Sequence, residues 1–333
     1  MTKQTRYLAL GSAAILTFGL CTGLVAYYGG IPSLTASRVG PAELAYVPAD
    51  AGIVAFADVR DVMDSELRKK LRDALPGDQQ GREDLQRLTG IDVERDIDRV
   101  VAAIGAGGEQ STVAFITGRF NPTQIESLAR QHGATVSEYG GKRLLTGIGD
   151  DDDDEDGKPG RRGNHHGALA FLEPNVLAIG AEAAIRKAID TKASGQNVTG
   201  NTELMKVIGS VASGNNVWAV GSMDSFKDRI PAEVSSRMPA VQWFAATGRV
   251  NGGIHATLRA EARDDISAEN LRDVVRGGLA LIKMQSGDPQ FAALANSIRL
   301  EGSGKTVSVS FTIPSELIDL VVKQGPRGLV PVQ

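Results

Sequence analysis

The run YLALGSAAILTFGLCTGLVAYY, from Tyr7 to Tyr28, contains no charged residue. As a helix rising about 1.5 Å per residue it spans about 33 Å, enough to cross a bilayer. Lys3 and Arg6 precede it and no charge follows until Arg38, so residues 1–6 are expected in the cytoplasm and the remaining chain outside. Tyr7, Tyr27 and Tyr28 stand at its two ends, where aromatic rings favour the headgroup region. A cleaved signal peptide has a shorter apolar region followed by a small-x-small site, whereas this run is longer and ends in Tyr-Tyr. Leu20 precedes Cys21 where a lipoprotein signal needs a small residue, so lipidation is not expected. The expected partner of residues 7–28 is therefore the lipid bilayer itself.

Cys21 is the only cysteine, which excludes disulfides within the chain and disfavours thiolate metal sites. With 333 residues, 42% of them hydrophobic, the chain is long enough to bury one large core or two smaller ones. The formal net charge of -4 is set by the acids of Asp150–Asp156, and without them the chain is slightly basic. Neither balance suits a nucleic-acid binder.

Residues 29–40, with Gly, Pro and Ser and little periodicity, read as a tether. A first α+β unit is expected over 41–148. GIVAFADV (Gly52–Val59) is a buried strand, and DVMDSELRKKLRDAL a helix with Leu67, Leu71, Ala74 and Leu75 on one face. RVVAAIG and STVAFITG pair as strands, followed by a proline-started helix from Pro122 to Gln131. A second unit is expected over 168–323. VLAIGAEAAIRKAIDT (Val176–Thr191) runs from strand into helix, and FAATGRVNGGIHATLRAEA is a hairpin through Asn251, Gly252 and Gly253. Leu271, Val274, Val275, Leu279 and Ile282 keep helical spacing in a helix from Ser267 to about Met284.

Each half closes with a hairpin around a Gly-Lys turn: TVSEYGGKRLLTG in the first, SIRLEGSGKTVSVSFTIP in the second. This serial order predicts a duplicated α+β unit with mainly antiparallel sheets and helices packed on one face. Residues 149–167 form an acidic and basic low-complexity loop between the units, and 324–333 a flexible tail.

Motifs are few. GSGKT (Gly302–Thr306) resembles a phosphate loop, but Arg299 stands at the first required glycine and a strand, VSVSFTI, follows where a helix should start. It reads as a hairpin turn, and no nucleotide is expected. IGAGG (Ile104–Gly108) likewise precedes a strand. Asp92, Glu94, Asp96 and Asp98 alternate, yet Ile97 and Ala103 occupy the Gly and acidic positions of a calcium loop. A short helix or turn leading into RVVAAIG is expected, its acids capping amides or facing water. Trp218 and Trp243 fall in apparent strands and read as core residues, and His255 as a surface or edge residue.

Asp150, Asp151, Asp152, Asp153, Asp154, Glu155 and Asp156 are the metal candidates. Carboxylates are hard oxygen ligands, so weak, exchangeable Ca²⁺ is the only cofactor to weigh, and no spacing here fixes a coordination shell. His165 and His166 are neighbours whose side chains would point apart on a strand. The loop is best read as a solvated insertion in a hairpin between the strand-like KRLLTG and GALAFL. No HExxH, GxSxG or CxxC arrangement is present.

GPAELAYVPADAGIVAFADVRDVMDSELR, TGIDVERDIDRVV and FLEPNVLAIGAEAAIRKAID together resemble segments of uncharacterised bacterial envelope proteins that carry one N-terminal membrane segment and an α+β domain of unknown function. The resemblance implies a single-pass protein of the bacterial inner membrane with its domain outside, and it carries no functional residues. The expected role is a non-enzymatic binding or structural module whose partner is an envelope protein or a second copy of the chain. A hydrolase with a site assembled from distant residues and a Ca²⁺-dependent adhesion module are the alternatives.

Overall fold

A computed structural model describes residues 40–69, 86, 90–105, 107–148, 167–225, 240–284 and 296–313. Strands of alternating or continuous apolar character assemble into one sheet. These are β1 (Ile53–Ala57), β2 (Ile97–Ile104), β3 (Thr112–Gly118), β4 (Thr135–Tyr139), β5 (Lys142–Ile148), β6 (Gly167–Glu173), β7 (Val176–Ala181), β8 (Val217–Ser222), β9 (Val241–Val250), β10 (Ile254–Ala262), β11 (Arg299–Glu301) and β12 (Thr306–Ile313). The sheet has 12 strands in the order β11-β12-β10-β9-β8-β1-β2-β3-β7-β6-β5-β4, and every neighbouring pair is antiparallel.

The seam of the sheet is the pair β1 and β8, where Ala55 faces Ala219. Outward from it the pairing runs β1-β2-β3-β7-β6 on one side and β8-β9-β10-β12-β11 on the other, so the same chain order is threaded twice. The hairpin that holds the place of β11 and β12 is β6–β7. It is not β4–β5, which adds two outer strands at one edge. By turn composition alone the two Gly-Lys turns look equivalent. The ladders instead put β6 beside β5 and β7 beside β3, because register and side-chain face, rather than turn composition, select a strand's partner.

Between the strands run α1 (Val59–Met63), α2 (Val93–Asp96), α3 (Pro122–Gln131), α4 (Glu182–Ser194), α5 (Thr202–Ala212) and α6 (Asp265–Met284). The helix expected after β1 is interrupted at Asp64–Ser65, and residues 66–69 are helical again. Ser65 makes the break: its hydroxyl donates to Val62 O and accepts from Arg68 N at 3.1 Å, which caps the second segment.

Helices cover both faces of the sheet, not one. On the first face the main core joins Val54, Phe115, Ala178, Trp218 and Val220 of the sheet to Ile185 and Ala188 of α4 and to Leu204 and Ile208 of α5. The alternate residues pack elsewhere: Leu145, Leu169 and Leu177 against Ile125 of α3, and Ala57, Val217 and Val250 against Val59 and Val62 of α1. Ala262 and Val307 meet Ala268 and Leu271 of α6. The physical reason was present in β6 and β7, where GALAFL and VLA are apolar at consecutive positions. Successive strand residues point to opposite faces, so such a run needs cover on both.

The far strands behave otherwise. Along β10 and β12, His255, Thr257, Arg259, Glu261, Ser308, Ser310 and Thr312 alternate with Ala256, Leu258, Ala260, Val307, Val309 and Phe311. The face that α4 and α5 cover near the seam therefore becomes polar beyond β9.

Candidate functional site

The cover given by α5 ends over β9, and the step leaves a groove of about 190 Å³. Helix α5 is set by Asn201, whose side chain accepts from Leu204 N at 3.1 Å and donates to Ala49 O at 3.1 Å. With Leu204, Ile208 and Val211 turned into the core, the stripe at Glu203, Lys206, Val207 and Ser210 lines the groove, as spacings of three and four on a helix require. Trp243 and Ala245 of β9 line it from the sheet, with Arg259 and Glu261 on β10. Trp243 stands opposite Glu261 and Ala245 opposite Arg259 in the ladder. Trp218 is buried, as the sequence reading has it, but Trp243 is only half-buried: it packs against the core and also borders solvent.

Glu203, Lys206, Arg259 and Glu261 make no ion pair with any other described residue, although both signs line one groove. Elsewhere on this chain neighbouring opposite charges do pair, for example Glu182 with Arg186 at 2.6 Å and Asp50 with Lys187 at 2.8 Å.

A smaller cleft of about 130 Å³ lies at the other end of β9, lined by Asp61, Asp64, Ser65, Arg249, Val250 and Asn251. Asn216 ties two of its lining residues, Asp61 and Val250, together. At 4% exposure, its amide donates to Asp61 Oδ2 at 2.9 Å and Val250 O at 2.8 Å and accepts from Val250 N at 3.0 Å. Asp58 next to it caps α1 by accepting from Asp61 N at 3.0 Å. Burial pushes the Asp58 carboxyl above its ordinary 3.8, and the Asp61 charge adds to this against the pull of its backbone hydrogen bonds and Arg99. The folded state thus holds this proton more tightly than the unfolded one. The group favours folding below about pH 3.8 and withdraws that stability as pH rises through its folded pKa. Asp58→Asn keeps the cap and removes the buried charge. Its melting temperature should exceed the parent's at pH 7, and the gap should close in scans below about pH 4.

The acids at 92–98 pair with arginines. Arg95 lies 3.5 Å from Asp92, Arg68 2.6 Å from Glu94, Arg119 3.6 Å from Asp96 and Arg60 2.6 Å from Asp98. Asp92 also accepts from Glu94 N at 3.0 Å, and Asp96 from Asp92 N at 2.8 Å. The expected short helix and its caps are present as α2, leading into β2. Arg95 pairs within the segment at i,i+3, whereas Arg60, Arg68 and Arg119 reach it from outside, which local spacing does not reveal. Gly118 lets β3 close on this junction, since a Cβ there would lie 2.0 Å from Asp96 O.

A fourth cluster was invisible in the sequence. Glu43, 2% exposed, accepts from Arg99 Nε at 2.8 Å and from the Thr117 hydroxyl, while its Oε2 has no hydrogen-bond partner. Beside it Tyr46 donates to Glu173 Oε1 at 2.6 Å, with the Lys192 ammonium 4.9 Å from the ring centroid. Burial first, then the Glu173 carboxylate, pushes the Tyr46 phenol above its ordinary range.

The remaining motifs fall where a turn was expected. GSGKT joins β11 to β12, and Lys305 Nζ donates to Arg263 O at 2.9 Å. IGAGG links β2 to β3. His255 is exposed, its Nδ1 2.6 Å from Thr312 Oγ1, and His132 ends α3. KRLLTG and GALAFL do pair, as β5 and β6. The metal candidates Asp150–Asp156, the histidines 165 and 166, and the segments 7–28 and 324–333 lie outside the described residues. Among the described residues no helix is long and apolar enough to cross a membrane, and no group of three potential metal ligands is assembled.

No protein-family model and no curated protein matches the chain. Among solved structures, one described as "Structure of crystal form I of TP0453" is similar at 11% identity and a TM-score of 0.45, covering 86% of this chain and 99% of that one. A likeness this remote carries no argument about activity.

Proposed function

We propose that this chain is a single-pass protein of the bacterial inner membrane whose domain, held outside the cytoplasm, binds an envelope component in the groove between α5 and β10. The uncharged run Tyr7–Tyr28 after Lys3 and Arg6 supports the anchor and its orientation. One observation carries the binding role: Trp243 is half-buried in a groove whose four charged side chains make no ion pair with one another. Convergent polar groups around an aromatic wall are what a recognition site requires. The twice-threaded pairing order supports reading the sheet as two copies of one β-β-β-α-β-β unit.

Protease added outside intact inner-membrane vesicles of periplasm-facing orientation should digest the domain and spare a short anchor. Full protection would reverse the topology. A photo-crosslinking residue at exposed Ser210 should give an adduct in intact cells that the same residue at exposed Gln196, outside the groove, does not. Equal labelling at both positions would remove the groove from the proposal.

A further inference from the structure

We infer that the groove is a saccharide site, with a pyranose ring set against Trp243 and its hydroxyls divided among Glu203, Lys206, Arg259 and Glu261. This rests on the binding role proposed above and names the ligand class. The four charges are two of each sign, so the groove offers no net field that would select a cation or an anion. What it does offer is strong acceptors and strong donors within one small volume, beside the Trp243 ring. A pyranose meets both demands, since its C–H face is apolar and each hydroxyl on its rim donates and accepts.

Other ligand classes fit less well. A nucleic-acid strand would also stack on Trp243, but it needs a net positive track for its phosphates. A peptide added as an extra strand needs a free sheet edge, and both β9 and β10 already have neighbours on each side. An amphipathic helix needs an apolar trough, whereas three of the four α5 residues lining the groove, Glu203, Lys206 and Ser210, are polar, with only Val207 apolar.

The groove also has an open end of matching chemistry. On the same face Arg259 stands opposite Ser308, which stands opposite Glu301, and Thr257 stands opposite Ser310, which stands opposite Arg299. With strands spaced by about 4.8 Å, this hydroxyl-bearing strip continues across β10, β12 and β11. It gives room for an oligosaccharide rather than a single ring.

The test is calorimetric titration of the full-length chain in detergent with chitotetraose, cellotetraose and maltotetraose. Saturable binding of at least one, with a dissociation constant of roughly millimolar or tighter, is expected. Trp243→Ala and Arg259→Ala should each weaken it about tenfold or more, while Trp243→Phe retains most of it. Should Trp243→Ala melt without cooperativity, Arg259→Ala and Glu261→Gln on the sheet surface decide instead. Failure of the folded parent to bind any of the three up to about 10 mM, or binding that Arg259→Ala and Glu261→Gln leave unchanged, would overturn the assignment. A persistent Ser210-specific adduct would then show that the saccharide alone was wrong; its absence as well would remove the binding role.

Discussion

Arg99→Ala should lower the unfolding free energy by about 3 kcal/mol, read as a shifted midpoint in denaturant titrations of the full-length chain. The two partners of this pair are unequal: the Glu43 side chain is 2% exposed and that of Arg99 39%. Removing the guanidinium therefore strands the buried member. Its carboxylate would keep only the Thr117 hydroxyl, with Oε2 already lacking a partner. An uncompensated buried charge of this kind typically costs about 3–5 kcal/mol, and the 39% exposure of the arginine side chain, whose removal lets water approach the carboxylate, argues for the lower figure. Glu43→Gln combined with Arg99→Ala should regain part of the loss, because the amide still accepts from Thr117 and carries no charge to desolvate, while its NH2 takes the unpartnered place of Oε2. A single-variant cost below about 1 kcal/mol would mean that the pair behaves as a surface ion pair.

Trp218→Ala should cost about 3–5 kcal/mol, the usual range for emptying a large aromatic site. The ring is 2% exposed, lies 5.5 Å from Phe56 at an interplanar angle of 24°, and sits on β8 at the seam that joins the two halves of the sheet. The cavity would open where α5 and the central strands share one core, so little of the surroundings can collapse into it. Trp218→Phe fills part of that volume and should lose less than half as much. The denaturant slope should stay near the parent's in both, since the area exposed on unfolding is unchanged. Trp243→Ala provides the contrast: a half-buried ring at a groove leaves a smaller void and a smaller loss. Equal costs at the two tryptophans would contradict the difference in their surroundings.

That contrast also marks how far the sequence reaches. Both tryptophans stand in strand-like runs, and nothing local separates them; Trp218 is covered and Trp243 borders a groove because α5 ends over β9. Where a property belongs to the chain's own geometry, the residues declare it. The strands β2 and β3, the hairpin at Asn251–Gly253, the turn at Gly302–Lys305 and the helices α3, α4 and α6 are legible because side-chain period and turn glycines act over a few residues. The α+β class and its antiparallel pairing follow from their order. Partnership across long separations does not. That β7 slips between β6 and β3, that β1 meets β8, and that helices lie on both faces depend on which ladders close together and how apolar faces are shared. Charged residues hide their roles most completely. Glu43 reads like any surface acid until the fold brings Arg99 to it across 56 positions, and Arg259 like any other base until the fold places it with Trp243 along one groove. A side chain's type fixes what it can bond to, while only the tertiary structure decides whether water, a buried partner or a ligand is what it meets.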